Sequence, residues 1–569
     1  MTKKLLITGL ISLWTCLAFA QDNNKKYWLS GSARNVINLD EIHTNDDSLV
    51  TSKVEYGHTL VDLSANIKPN DDTYINAILR VRNEYGGFWG SGVTFDLRQL
   101  YMKGLIANAI RYQVGDFSYK LTPFTFYNNH EEMYENSLDL LRTYSDIIHY
   151  DYFYFDNTWR QQGAAVDFSL EFKDYLDEIQ FNMFTSRLNS SNFSTISDRI
   201  FYGGNITMLQ SEHLSFGVNY VNVQDVAGTS NSIEIFKNPV FTASYALKNN
   251  FDDFKIKVEG ESGRSELTTE NDPYAPLTTD FFHYSRAHFL HTDLNTSLSL
   301  SYRNVGPDFR STAAQSRRLR YTSQSEQFSR YTNDQIVRPI GLWDIYNDAS
   351  LYNTTIETGL SEYYPEYNNI DPFGIATPNR KGFDVALERI DKEHGYEFLV
   401  KYGMLSDVVG QGVEDLKKYN SLETHLKMNF ANLFGISNDL ILEMGYYSYQ
   451  TSRVSSVIDF SAVDLESNRF NCGLNIELSE EFSVLSAFEK FTSIGYDLIS
   501  KRDVYDDIFN FERYDVDLKE SIYAFGLMYT FNQNNNLKLI YQDYTWDNTT
   551  IEQPKYSFDR MSLVFNMKF

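Results

Sequence analysis

Residues 556–569 read Tyr-Ser-Phe-Asp-Arg-Met-Ser-Leu-Val-Phe-Asn-Met-Lys-Phe, and their pattern decides the fold. Met561, Leu563, Phe565, Met567 and Phe569 fall on one side of an extended chain, and Ser562, Val564, Asn566 and Lys568 on the other. A repeat of two residues marks a β-strand with two unlike faces. The same rule holds further back. Leu422, Thr424, Leu426, Met428 and Phe430 alternate with Glu423, His425, Lys427 and Asn429. Leu294, Thr296, Leu298, Leu300 and Tyr302 alternate with Asn295, Ser297, Ser299 and Ser301. Such segments run about ten to fourteen residues, the length a tilted strand needs to cross a bilayer.

The connections alternate as well. Short polar links are expected at 68–72, 107–109, 172–175, 210–213, 249–253, 291–293, 391–395, 432–438, 479–481 and 532–536. Longer ones are expected at 39–51, 86–92, 118–157, 188–196, 225–237, 264–280, 305–381, 405–421, 451–466, 495–520 and 546–557. Ten short turns and eleven long loops imply an all-β, antiparallel transmembrane barrel of about 22 strands, within a range of about 20 to 24. The turns are then periplasmic and the loops extracellular. Residues 347–361 also alternate and are assigned to the long loop, since one extra strand would leave an odd number.

Residues 1–20 combine Lys3 and Lys4, an apolar run from Leu5 to Phe19, and small residues at Ala18 and Ala20, the three parts of a secretory signal peptide with cleavage after Ala20. Acylation at Cys16 is the rival reading, but bulky Trp14 and Thr15 precede it. Residues 21–569 then form a single barrel. They keep only Cys472, so no intrachain disulfide is possible. They also carry 48 Lys and Arg against 76 Asp and Glu, a formal net of −28. That balance argues against nucleic acid, which calls for a basic footprint. No second long apolar run exists for a helical span. Tyr and Phe number 41 each, as aromatic-rich barrel surfaces require.

Together the signal peptide, the strand–turn–strand–loop rhythm and the terminal Phe569 resemble Gram-negative outer-membrane β-barrel proteins over the whole mature chain. The resemblance implies that the last strand, with Phe565, Met567 and Phe569, is read by the barrel-assembly machinery, and that outer-membrane lipid and lipopolysaccharide surround the barrel. TonB-dependent transporters place a folded plug before the barrel, and fatty-acid channels a helical hatch. Here strand-like alternation begins by 27–39, so a plug-less, porin-like barrel is expected. The runs 111–117 and 306–310 look motif-like without pointing to a subfamily.

No enzymatic constellation emerges, and neither cofactor nor metal is expected. His283 and His288, like His288 and His291, are separated by odd numbers and so point to opposite faces of a strand. Two loops carry the functional expectation. In 118–157, Glu131, Glu132, Glu135 and Asp139 accompany Tyr134, Leu138, Leu141, Ser145 and Ile148 at helical spacing, with a helix start near Asn129. Such a helix either folds into the lumen as a constriction or caps the rim outside, and the aromatics from Tyr150 to Phe155 stacked against sugars make a third reading. In 305–381, Arg310, Arg317, Arg318, Arg320, Arg330 and Arg338 make a locally basic stretch in an acidic chain. Arginine there suits a pore eyelet, lipid phosphates or an acidic partner. A channel for small polar solutes and a non-transport barrel within a larger envelope complex are thus both open. Replacing Arg317, Arg318 and Arg320 by Gln separates them. In a pore, single-channel recording shows a shift towards cations, whereas in a complex co-purification weakens and conductance stays the same.

Overall fold

The computed structural model describes residues 26–44, 52–85, 93–129, 138–152, 157–172, 175–272, 274, 277–316, 365–410, 412–455, 461–502, 508–550 and 555–569. Among them 22 strands, numbered β1 to β22 along the chain, form one antiparallel sheet in which each strand pairs with its sequence neighbour. The sheet closes because β1 (Tyr27–Thr44) also pairs with β22 (Lys555–Lys568), from Ser32 opposite Lys568 to Thr44 opposite Tyr556. A closed antiparallel barrel of this size is the outer-membrane type. The strand number and all ten short turns follow the sequence pattern, and the start of β1 and the end of β22 lie at the turn end. Residues 347–361 lie outside the described residues.

The two faces obey the expected alternation. On β13 (Thr296–Val305), Leu298 and Leu300 are exposed outside, while Ser297 and Ser299 are buried inside. On β22, Met561 faces out and Ser562 and Val564 are fully buried. Outward aromatics gather at both ends of the wall. Tyr302 and Phe383 meet at a tilt, with ring centres 4.9 Å apart, near the loops. Phe168 with Phe181 (4.7 Å) and Phe531 with Phe565 (6.1 Å) lie near the turns. Aromatic girdles of this kind sit at the two membrane–water interfaces.

Several long loops are shorter than the sequence pattern suggests. β19 (Phe482–Arg502) and β20 (Ile508–Asn532) leave only 503–507 between them instead of 495–520. β11 (Phe254–Glu270) and β12 (Thr278–His291) shorten 264–280 to 271–277. The reason is physical: a strand that rises past the bilayer has water on its outer face and loses its apolar alternation, while its ladder of hydrogen bonds continues. Phe430 is a correction in the other direction. It leaves the strand for a short helix, Phe430–Phe434, because the Asn429 side chain accepts the Ala431 N–H at 3.0 Å and Gly435 ends the turn at φ +67°.

The seam between first and last strands is pinned from inside. Arg560 donates to both oxygens of Asp40, and Ser562 bonds Asn38 at 2.7 Å. Phe569 exchanges backbone bonds with Gly31 at 2.8 and 3.0 Å, and its ring covers that glycine. The wall assignment is testable at mid-strand. Lys at Leu300 is expected to cost about 2–4 kcal/mol of barrel stability, the scale for a charge facing lipid. Lys at Ser301, which faces inward between Arg286 and Asp384, is expected to be mild. Urea unfolding in lipid vesicles checks the difference.

Candidate functional site

The described parts of both long loops turn inward and form a second layer against the inner wall. One part of it is the helix α1 (Asp139–Tyr152). Its apolar side, with Leu138 just before it, Leu140, Leu141 and Ile147, is buried. Leu138 sits on Gly473 of β18 (Val463–Ser479), and Leu140 sits on Gly526 of β20 beside Leu485. A Cβ at Gly473 or Gly526 would approach those leucines to 2.9 or 2.7 Å, so the missing side chains make the seat. The described helix begins at Asp139, and residues 130–137, with Glu131, Glu132, Glu135 and the expected start just after Asn129, lie outside the described residues.

The other end of α1 is held by charge. Tyr150 donates to Asp62 of β2 (Ser52–Asn70) at 2.6 Å. Asp62 also takes Arg80 of β3 (Thr73–Glu84) at 2.8 and 2.7 Å, and Arg98 of β4 (Val93–Ile106) at 3.3 Å. The Arg98 guanidinium lies 4.1 Å over the Tyr150 ring and bonds the Tyr150 carbonyl. Burial and, after it, the Asp62 charge push the Tyr150 hydroxyl well above its ordinary range, so it stays a donor. A 22-stranded barrel is roughly 44 Å across, from a strand spacing of about 4.8 Å and a tilt of about 40°. Fourteen helical residues reach only about 21 Å. So α1 is a chord along the wall from β18–β20 to β2–β4, and it does not cross the barrel.

The rest of the layer interlocks the two loops. Phe124 stacks on Phe282 at 4.0 Å, and Phe126 packs on Phe184 and Phe201. Trp159 donates to the Tyr127 carbonyl at 3.0 Å. Asn129 joins loop to loop: its N–H reaches Ser316 and its amide the Ala314 carbonyl, both at 2.7 Å. Further on, α2 (Pro365–Asn368) lies against β18 to β20, and the chain after it reaches β13. Tyr367 lies on Phe491, Asp371 pairs with Arg303 at 2.7 Å, and Arg380 donates to the Ile370 carbonyl at 2.9 Å. Burial pushes the carboxyl of Asp407 up, while neighbouring Arg380 pulls it down.

Of the basic residues singled out above, Arg310 spends its guanidinium on the carbonyls of Pro307 and Phe309, at 3.0 and 3.1 Å. Arg317, Arg318, Arg320, Arg330 and Arg338 lie outside the described residues. Asp139 stands on the unburied side of α1 with Arg142 and Asp146, their side chains 56%, 37% and 52% exposed. The histidines part as their spacing requires, His283 bonding Ser262 outside and His288 bonding Ser299 inside.

Two motif-like runs acquire structural reasons. Gly115, at φ +99°, kinks β5 (Ile110–Tyr119) so that Asp116 turns inward and takes the Leu100 N–H at 2.6 Å and Arg160 at 3.2 Å. Gly306 lets the chain press against the Asp280 carboxylate, which accepts the Asp308 N–H at 2.8 Å. The cluster of Asp62, Arg80 and Arg98 was missed in sequence. Its signal was an Arg or Asp at an inward position on neighbouring strands, visible only once the register is known.

Fold and inner layer define the class: an outer-membrane-type β-barrel of 22 strands whose own loops line its lumen. No protein-family model matches the chain, and no curated protein matches its sequence. Among solved structures it is similar to Pseudomonas aeruginosa OccK5, with 10% identity over 95% of this chain and 98% of that one and a TM-score of 0.36. Acinetobacter baumannii OccAB2 gives 9%, 95%, 98% and 0.35, and the outer membrane channel DcaP of the same species 10%, 95%, 97% and 0.29. Superpositions this loose bear on neither pore nor substrate, so the functional reading is built from the chain's own residues.

The anchoring of α1 is testable. Tyr150→Phe removes a hydrogen bond to a charged acceptor, of order 1.5–3 kcal/mol. Hydrogen exchange across 139–152 is expected to quicken by one to two orders of magnitude, roughly that energy at about 1.4 kcal/mol per tenfold, with the strands unchanged. Unaltered exchange would mean that the leucine seat alone holds the helix.

Proposed function

We propose that the protein is a porin-like channel for small polar solutes, seated in an outer membrane and narrowed by its inner layer. The observation that carries this reading is the orientation of α1. Its leucines face the wall, while Asp139, Arg142 and Asp146 stay unburied on the side away from it. A layer built only to stopper a barrel gains nothing from a charged, solvent-exposed face, whereas a water-filled passage does. The setting goes with the proposal: cleavage after Ala20, lipopolysaccharide around the barrel, and insertion by the barrel-assembly machinery through Phe565, Met567 and Phe569.

One feature favours the second reading, a barrel within a larger envelope complex. β19 and β20 run 21 and 25 residues, about twice what a bilayer crossing needs. Their far ends expose Phe509 at 68%. A projecting hairpin suits contact with another envelope protein and does not conflict with an open lumen.

Current through single proteins in planar bilayers tests the proposal. Asp139→Asn with Asp146→Asn removes two negative charges from the free face, and the cation-to-anion permeability ratio is expected to fall at least about twofold. Arg142→Gln is expected to move it the other way. A protein that folds but passes no current refutes the channel.

A further inference from the structure

A recess of about 720 Å³ opens in the lumen wall at the turn end of β3 to β7 (Glu178–Asn189), lined entirely by described residues. Phe117, Tyr119 and Ala165 of its lining belong to the apolar cluster that also holds Phe126 and, on α1, Ile147. Three properties bear on what the recess holds.

The first is charge. Lys68, Lys103 and Arg111 face Asp71, Asp72 and Asp167, so the lining is balanced. Lys68 pairs with Asp71 at 3.4 Å and Arg111 with Asp167 at 2.5 Å. A balanced lining offers little attraction to a strongly charged solute. The second is a row of rings. Trp28, Tyr74 and Tyr101 follow one another across β1, β3 and β4, with centres 5.9 and 6.0 Å apart. Tyr74 is fixed in place: its hydroxyl donates to Asn66, which accepts from Asn76 at 2.9 Å and donates to Ser30 at 3.0 Å. Of these three rings Tyr74 lines the recess, and Tyr119 joins it from β5.

The third is a set of uncharged hydrogen-bonding groups beside the rings. Asn182 lines the recess, as does Gln113, one of whose two amide N–H groups donates to the Asp116 carbonyl at 2.7 Å. The Lys103 ammonium lies 5.2 Å from the Tyr74 ring centre and 5.7 Å from that of Tyr101, so it donates at the same edge.

We propose that this recess binds a neutral carbohydrate on its way through the channel. A sugar ring has an apolar C–H face that stacks on a held aromatic ring, and a belt of hydroxyls that both donate and accept. Tyr74 supplies the platform, and Asn182, Gln113 and Lys103 meet the hydroxyls. The volume lies within the range of small-molecule sites. The inference rests on the channel reading, because a lumen recess meets solute only if solute enters.

The test uses the full mature protein in detergent, titrated calorimetrically with neutral trisaccharides of glucose, galactose, xylose and N-acetylglucosamine, with sodium benzoate as the anionic comparison. At least one trisaccharide is expected to bind. Tyr74→Leu should weaken it about tenfold, and Tyr74→Phe, which keeps the ring, should retain most of the affinity. Unchanged heat-dependent migration in SDS shows that each variant folds. If no trisaccharide binds while single proteins still pass potassium current, the recess assignment falls and the channel stands. Sugar binding without current sinks the channel and leaves the recess a sugar site of another kind. Benzoate binding tighter than any sugar, and lost in Lys103→Met, overturns the carbohydrate in favour of an organic anion.

Discussion

A strand in lipid has no water to satisfy an unpaired edge, so the first and last strands of this chain must find each other. Everything else follows from that closure. It requires an even number of strands when both termini lie at one end, and it fixes which residues of each strand face lipid. At the seam the constraint is met by local devices, the Arg560–Asp40 pair, the Ser562–Asn38 bond and the Phe569–Gly31 contact. The pair also has a directional role. Two buried charges joined through two bonds suit only one register, so a slip by one residue would strand both in the wrong environment.

Closure at 22 strands creates a lumen wider than side chains can fill. The two longest loops answer that problem, and the wall is cut to receive them. Gly473 and Gly526 leave space for leucines, and Asp62 gathers two arginines and a tyrosine at the other end of the helix. Phe124, Phe126 and Phe309 join the inner faces of several strands into one apolar cluster. The result is an inner layer with a buried side and a wet side, the same amphipathic logic that governs a helix on a soluble core. Only the wet side is available to act on solutes.

How much of this was legible in the sequence depends on the range of the interaction. Strand number and turns were legible because each is a local signal: alternation at two residues, then a break. The ends of β19 and β20 were not, since alternation fades where both faces meet water although pairing continues. The helix in the first long loop was visible from Leu138 and Leu141, but not its seat, because glycines on β18 and β20 give no sign of what fills them. The inward Asp62, Arg80 and Arg98 were equally silent, as their meeting depends on register across three strands. Arg310 was open by composition to a pore, lipid phosphates or a partner, and its Nη1 donates to two carbonyls of its own turn.

The central claim is that the free face of α1 borders the conducting path. Cysteine at Asp146, with Cys472 replaced by Ser, gives the most direct test, since position 146 then carries the sole thiol of the mature chain. Adding a charged, membrane-impermeant thiol reagent during single-channel recording should lower the current in one discrete step per barrel. A current that is unaffected, although mass spectrometry shows position 146 modified, would place that face outside the path and contradict the account.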